Sequence, residues 1–365
     1  MTYIESIKTA VFIFPFVSFL FTIPFILHQY HKYGSINAFR VLIVYSFILY
    51  MMCIYFLVIL PLPEKSTVTA KMGEMMNLRP FAFVNDIIRE SSFVLNNPNT
   101  YLKSLMEPCI YTVLLNIVMT VPFGMYLRYY FECSFKKTVL LSFGLSLFFE
   151  LTQLSGLYFI YPGPYRLFDV DDLIMNTLGG VLGYSLMGFG RNILPSRREI
   201  DRESLRDGTK VSSLRRFTAF ALDVFIYGAI SVFFRHDNSY KIVFIIYFIV
   251  IPPMLNDQTL GEKFLNIKLD YHKYKIPTAV LRVLFIYTYY FGLPTLGLTI
   301  AKMSIVEFGL EFASGYIYLA AYFLILLFWF VNFLSLLINK RMFYDDIFKV
   351  NFESTIYFEE EDEEI

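Results

Sequence analysis

An all-α, polytopic membrane protein is the fold class this sequence predicts, with about nine transmembrane helices in two bundles of five and four. Three observations carry it. Of 365 residues, 56% are hydrophobic and only 17% charged, whereas a soluble globular protein carries about 25% charged residues. Mean hydropathy is +0.54. Apolar runs near the length of about 20 residues that crosses a bilayer recur at 9–27, 38–60, 109–127, 138–158, 172–190, 217–234, 240–255, 278–300 and 314–338.

The first run lacks a basic leader and a small-residue cleavage site, so it reads as a retained span rather than a signal peptide. The seventh is short and ends in Pro252-Pro253, the mark of a tilted, partial or interfacial segment. Lysines and arginines in short loops set the orientation. Lys32 and Arg40, then Arg128, Lys136 and Lys137, then the arginine-rich stretch 191–216, then Lys340 and Arg341 all fall on one side of a nine-span chain. That side is expected to be the cytoplasm, with the N-terminus outside and the C-terminus inside.

Organisation follows from the same pattern. Residues 1–190 form a five-helix membrane domain, 191–214 a charged cytoplasmic linker broken by Pro195 and Gly208, and 215–352 a second membrane domain. The end, 353–365, is expected to be an acidic disordered tail. The largest outer loop, 61–108, holds apolar residues at roughly helical spacing over 81–95, as an amphipathic segment on the membrane surface or an ordinary polar loop would.

Several classes are disfavoured. Thirty-one basic residues balance thirty-one acidic ones, which argues against a nucleic-acid partner. Cys53, Cys109 and Cys133 share no CxxC spacing. His28, His31, His236 and His272 are scattered, and the His28–His31 pair has no acidic neighbour, so no metal and no cofactor is expected.

The most informative stretch is 142–183. Ser142, Ser146, Glu150 and Gln153 form one stripe of the fourth span, and Asp172, Asn176, Gly179 and Gly183 one stripe of the fifth. A short loop carrying Arg166 joins the two spans, making them antiparallel neighbours whose stripes face each other near the outer surface. An ionisable group at membrane depth costs about 2.5–3.5 kcal/mol on insertion scales, so it usually faces a bundle interior or cavity. The bland alternatives are that Asp169 caps the fifth helix with Asp172 at its third position, and that Arg166 only neutralises Glu150 or Asp172.

The residues Glu150-Leu-Thr-Gln153, Arg166-Leu-Phe-Asp169-Val-Asp171-Asp172 and Asn176-Thr-Leu-Gly179-Gly180 resemble the VanZ-like family of bacterial membrane proteins. Asn77-Leu-Arg-Pro80-Phe81 and the stretch from Asn116 to Gly124 fit as well, so the resemblance covers about residues 10–190. It implies a five-span domain and an association with teicoplanin resistance. It carries the ligand-binding expectation onto Glu150, Gln153, Arg166, Asp172 and Asn176. Arg79 stands where the family often has a neutral residue.

A second charged set falls on the inner side: Arg216, Asp223, Asp257, Arg282 and Asp345. Over about 211–352 it resembles the RDD family, named for an arginine and two aspartates. Asp223 lies two turns inside its span and calls for a cation or a proton, which Arg216 or Arg282 could supply. The result is either an ion-pair network that fixes helix packing or an ion route.

The leading expectation is a cell-membrane protein of a Gram-positive bacterium acting in glycopeptide resistance or envelope modification. Its partner would be a membrane lipid or cell-wall precursor whose polar headgroup enters an outward-facing pocket. An ion- or proton-coupled transporter through the RDD-like half is one alternative. An intramembrane enzyme acting on a phosphate- or sugar-bearing lipid is another, and the reading leans against it because no nucleophile triad, metal spacing or phosphate-binding glycine run is present.

Overall fold

The computed structural model describes residues 3–69, 71–94, 96–190, 193–234, 239–271, 275–339 and 341–359. Arg191, Lys340, His236, His272, Leu95 and the acidic end 360–365 lie outside them. Most of the chain is helix. Among the described residues, seven helices are long and apolar enough to cross a membrane, and the chain is a multi-pass, all-α membrane protein.

The principal helices are α1 (Tyr3–Tyr33), α2 (Ala38–Ile59), the short α3 (Ala82–Glu90), α4 (Pro108–Tyr129), α5 (Phe135–Leu154) and α6 (Val170–Gly190). After them come α7 (Arg197–Gly208), α8 (Ser213–Phe233), α9 (Tyr240–Met254), α10 (Leu260–Phe264), α11 (Ile276–Glu307), α12 (Ser314–Asn339) and α13 (Phe343–Ile347). Two of the nine expected spans differ from the seven. Helix α5 has the length, but Lys136, Lys137, Glu150 and a row of hydroxyl and amide side chains dilute its apolarity. Helix α9 is only 15 residues long and contains a π-helical turn over Ile246–Val250 before the proline pair.

The chain divides into two compact units, Met1–Thr22 with Ala38–Ile200, and Ile23–Asn37 with Asp201–Ile365. Helices α1 and α7 are each divided between them. The stretch expected to be a charged linker contains the helix α7. Ser196 and Glu199 explain its start: Glu199 accepts from the Ser196 N–H (2.7 Å), and Ser196 Oγ accepts from the Glu199 N–H (3.2 Å), a reciprocal cap that satisfies two orphan donors.

In the first unit, α4 packs on α6 almost backbone to backbone. A side chain at Gly179 would strike the Ile117 carbonyl and Thr120 Oγ1, and one at Gly183 the Val121 carbonyl. On the facing helix, a side chain at Gly124 would strike the Gly180 carbonyl. The Gly179/Gly183 pair therefore serves the α4 contact, while Gly180 makes room for Ser142 of α5. Thr120 Oγ1 donates across the seam to the Asn176 carbonyl (2.8 Å). Phe47 of α2 meets Phe123, Tyr126 and Phe131, with ring centroids 5.0–6.4 Å away.

In the second unit, Arg215 of α8 is fully buried. It donates to the carbonyls of Leu265 (2.7 Å), Gly34 (3.0 Å), Gly208 (2.8 Å) and Asn266 (2.6 Å) and to Ser354 Oγ (3.1 Å). Around it, Tyr30, Ala219, Leu265 and Ile267 form a hydrophobic cluster. Strands β3 (Ile267–Tyr271) and β4 (Val350–Ser354) pair antiparallel, with Leu269 opposite Phe352. The last strand runs past residue 352, where the expected tail begins, because Thr355 N–H still reaches the Asn266 carbonyl (3.0 Å). The first unit holds the other pair, two residues each: β1 (Met76–Asn77) parallel to β2 (Phe168–Asp169).

Gly179→Val should lower the thermal unfolding midpoint in detergent by several degrees, the overpacking costing about 1–3 kcal/mol. Gly144→Ala, inside α5 with nothing within 4 Å of the added Cβ, should not lower it and should raise it slightly through helix propensity.

Candidate functional site

The N-terminal end of α6 gathers most of the acidic side chains singled out in the sequence. Asp171 and Asp172 lie in its first turn, where the helix dipole favours negative charge. Asp169 Oδ1 accepts from the Asp171 N–H (2.8 Å), and both Asp169 carboxylate oxygens are 3.2 Å from Asn77 Nδ2. Asp171 Oδ1 and Oδ2 accept from the Phe81 and Phe83 N–H groups (2.5 and 3.0 Å), holding Phe81 in its left-handed conformation at φ +63°. Asp172 Oδ1 accepts from Asn116 Nδ2 of α4 (2.5 Å).

Helix α5 completes the cluster. Glu150, 2% exposed, accepts from the Asp169 N–H through Oε2 (2.9 Å). Ser146 donates to the Asp172 carbonyl (3.2 Å) and accepts from Asn176 Nδ2 (2.9 Å). The polar stripes of the two helices therefore meet. Among the described residues, Asn176 Oδ1, Ser142 Oγ and the Tyr165 hydroxyl are buried with no hydrogen-bond partner.

Gln153 and Arg166 point elsewhere. Gln153 Nε2 and Arg166 Nη1 both donate to the Val58 carbonyl at the end of α2 (2.9 and 2.7 Å), and Arg166 Nη2 donates to Leu60 O (2.8 Å). The alternative in which Arg166 neutralises Glu150 or Asp172 by direct pairing is not what forms: the guanidinium satisfies carbonyls at a frayed helix end. Among the described residues, none of the four carboxylates of Glu150, Asp169, Asp171 and Asp172 makes an ion pair. The cluster is acceptor-rich and is held by neutral N–H donors.

Residues 47–191 match the VanZ/LLP1 family model. No curated protein and no solved structure matches the chain. The VanZ/LLP1 segment begins inside α2, later than the expected start near residue 10. It contains every residue of the acidic cluster, including Asn77, Asn116 and Asp171, which the sequence reading did not single out as ligand-binding positions. Asn77 and Asn116 sit in the two upstream stretches of the resemblance and contact Asp169 and Asp172.

Outside the VanZ/LLP1 segment, the second unit separates the residues that resemble the RDD pattern into two sets. Asp345 bridges two guanidiniums, Arg216 and Arg282, the latter at 3.1 Å, and Phe352 lies against Arg216, 3.6 Å from ring centroid to guanidinium carbon. Among the described residues, Asp223 receives no such cation. It accepts from the Tyr247 hydroxyl (2.7 Å), Thr259 Oγ1 (2.6 Å) and the Gly261 N–H (2.7 Å), so neutral donors take the place expected for Arg216 or Arg282. Gly261 is needed there, because a Cβ would come within 2.8 Å of the Asp223 carboxylate. Asp257 lies in the turn after α9 at φ +63°, its N–H on the Pro252 carbonyl (2.8 Å).

Arg216, Asp223, Glu262 and Arg282 line one cavity of about 600 Å³ whose remaining walls are largely aromatic and aliphatic. Glu262, in the short α10, caps the Thr259 N–H (2.9 Å). Burial, and then the negative charge of Asp223, push its carboxyl up from 4.5 to about 7. The folded form therefore binds more protons than the unfolded chain between these values, and stability falls as pH rises through that window. The thermal midpoint in detergent should be higher at pH 5 than at pH 8, and Glu262→Gln should flatten the difference. Arg215→Met, which removes the guanidinium donors from the buried Leu265 and Gly34 carbonyls, should cost at least about 2 kcal/mol, read as a lower midpoint or as loss of folded protein on size exclusion.

Proposed function

We propose that the acidic cluster of the VanZ/LLP1 segment receives the donor-rich polar headgroup of a membrane lipid or cell-wall precursor, and that the protein thereby acts in glycopeptide resistance or envelope modification in a Gram-positive cell membrane. One observation carries this reading: four carboxylates converge without a cation, beside a buried Asn176 carbonyl oxygen that has no donor. Hydroxyl and ammonium groups, abundant on sugars and peptides, are the complement of such a site. Glu150 and Asp172 would orient the ligand and Asn176 would accept from it. Gln153 and Arg166 would hold the rim against the end of α2. Arg166, with five N–H donors of which two are engaged, could also meet a headgroup phosphate.

The orientation expected from the loop charges supports this reading, since it would put the cluster on the outer face, where cell-wall chemistry is accessible. With wild-type protein raising the teicoplanin concentration that a sensitive host tolerates, Glu150→Gln and Asp172→Asn should return tolerance at least fourfold toward the host level. Variants made at normal levels with unchanged tolerance would overturn the reading.

The cavity of the second unit favours a second reading, an ion- or proton-coupled transporter through the RDD-like half, because Asp223 and Glu262 both reach its wall. Reconstituted vesicles should then show pH- or sodium-dependent flux that Asp223→Asn abolishes. Equal flux in the variant and the wild type would exclude it.

A further inference from the structure

A second recess in the first unit, about 230 Å³, is lined by Arg128, Glu132, Cys133, Tyr184, Ser196 and Arg197, among others. It lies at the other end of α6 from the acidic cluster, where α4 ends and α7 begins. Both guanidiniums are fixed in place. Arg128 Nη1 donates to the Tyr184 carbonyl (2.7 Å) and the group lies over the Tyr184 ring, 4.4 Å from its centroid. Arg197 Nη1 donates to the Tyr130 carbonyl (3.1 Å) and faces the Tyr130 ring at 5.6 Å. Gly188 leaves the room: a Cβ there would come within 2.5 Å of Arg128 Nη1.

Each guanidinium carries five N–H donors and gives one to a carbonyl, so four remain on each. Among the described residues, neither arginine has a carboxylate partner within ion-pair distance. Glu132, the one acid on the recess, is exposed at its rim. Glu199 is committed to capping α7. Two arginines positioned by aromatic rings and carbonyl contacts, each with four N–H donors left over, make a site for a tetrahedral oxyanion, because guanidinium N–H groups match phosphate geometry.

The volume holds about eight waters at roughly 30 Å³ each, which suits a headgroup and excludes a whole lipid. The recess opens at the ends of spanning helices among Tyr129, Tyr130 and Tyr184, the depth at which aromatic side chains and lipid headgroups meet. Basic recesses between spans are suited to anionic lipid headgroups.

We propose that the Arg128–Arg197 recess binds the phosphodiester headgroup of an anionic phospholipid from the surrounding leaflet. The site is independent of the acidic cluster, and its test does not involve antibiotic tolerance. Full-length protein in neutral detergent, offered equal phosphatidylglycerol and phosphatidylcholine, should retain the former about tenfold more in native mass spectrometry. Arg128→Gln with Arg197→Gln should abolish the preference, while the paired lysine variant should keep it several-fold weakened. Should the double glutamine variant fail to fold, Arg197→Gln alone, which leaves the Arg128–Tyr184 contact intact, should show at least a threefold loss. Equal retention of the two lipids by the wild type, or an undiminished preference in folded glutamine variants, would overturn the proposal. Displacement of the bound lipid by millimolar inorganic phosphate would overturn the lipid assignment in favour of a soluble phosphate.

Discussion

The contact on which the first unit depends is the α4–α6 seam, where carbonyls of one helix approach the glycines of the other. Lipid tails are as apolar as leucine, so two spans gain little from hiding hydrophobic surface and associate through close van der Waals contact and interhelical hydrogen bonds. Gly124, Gly179 and Gly183 make that approach possible. The same seam sets the distance between Asn116 and Asp172 and between Thr120 and the Asn176 carbonyl. The acidic cluster is thus a by-product of helix registration. Its carboxylates fall into place because the backbones beneath them are in contact.

The two units handle buried charge differently. In the first, backbone N–H groups and asparagine amides surround the carboxylates, leaving an acceptor-rich surface. In the second, Asp345 gathers two arginines while Asp223 takes three neutral donors. A buried ion pair and a buried hydrogen-bonded carboxylate solve the same desolvation problem.

Much of the fold could be read from hydropathy, since span length is dictated by bilayer thickness and not by tertiary detail. Periodicity also brought Ser146, Glu150, Asp172 and Asn176 together correctly, because adjacent antiparallel spans must share a face. What periodicity cannot carry is a partner distant in the chain. The Val58 carbonyl that takes Gln153 and Arg166 has no side-chain signature, and neither do the Phe81 and Phe83 N–H groups that take Asp171. Arg215 and Arg216 show the same limit at its sharpest. They are neighbours in sequence but about 100° apart around α8, so one disappears into carbonyls and the other pairs with Asp345. The strand pair β3–β4 was hidden for a similar reason: five-residue segments flanked by helices give little alternation to read.

The Arg215 hub has a consequence for how the chain is assembled. Its five acceptors come from residues 34, 208, 265, 266 and 354, and the unit it centres consists of 23–37 and 201–365. All of the first unit except Met1–Thr22 is therefore inserted within the second, synthesised after Gly34 has emerged and before Arg215 exists. During that interval the early segment must remain open, and the hub closes only when the final strand arrives. In a chain made from the N-terminus onward, the first unit can settle while its host is incomplete, and the last few dozen residues act as the clasp.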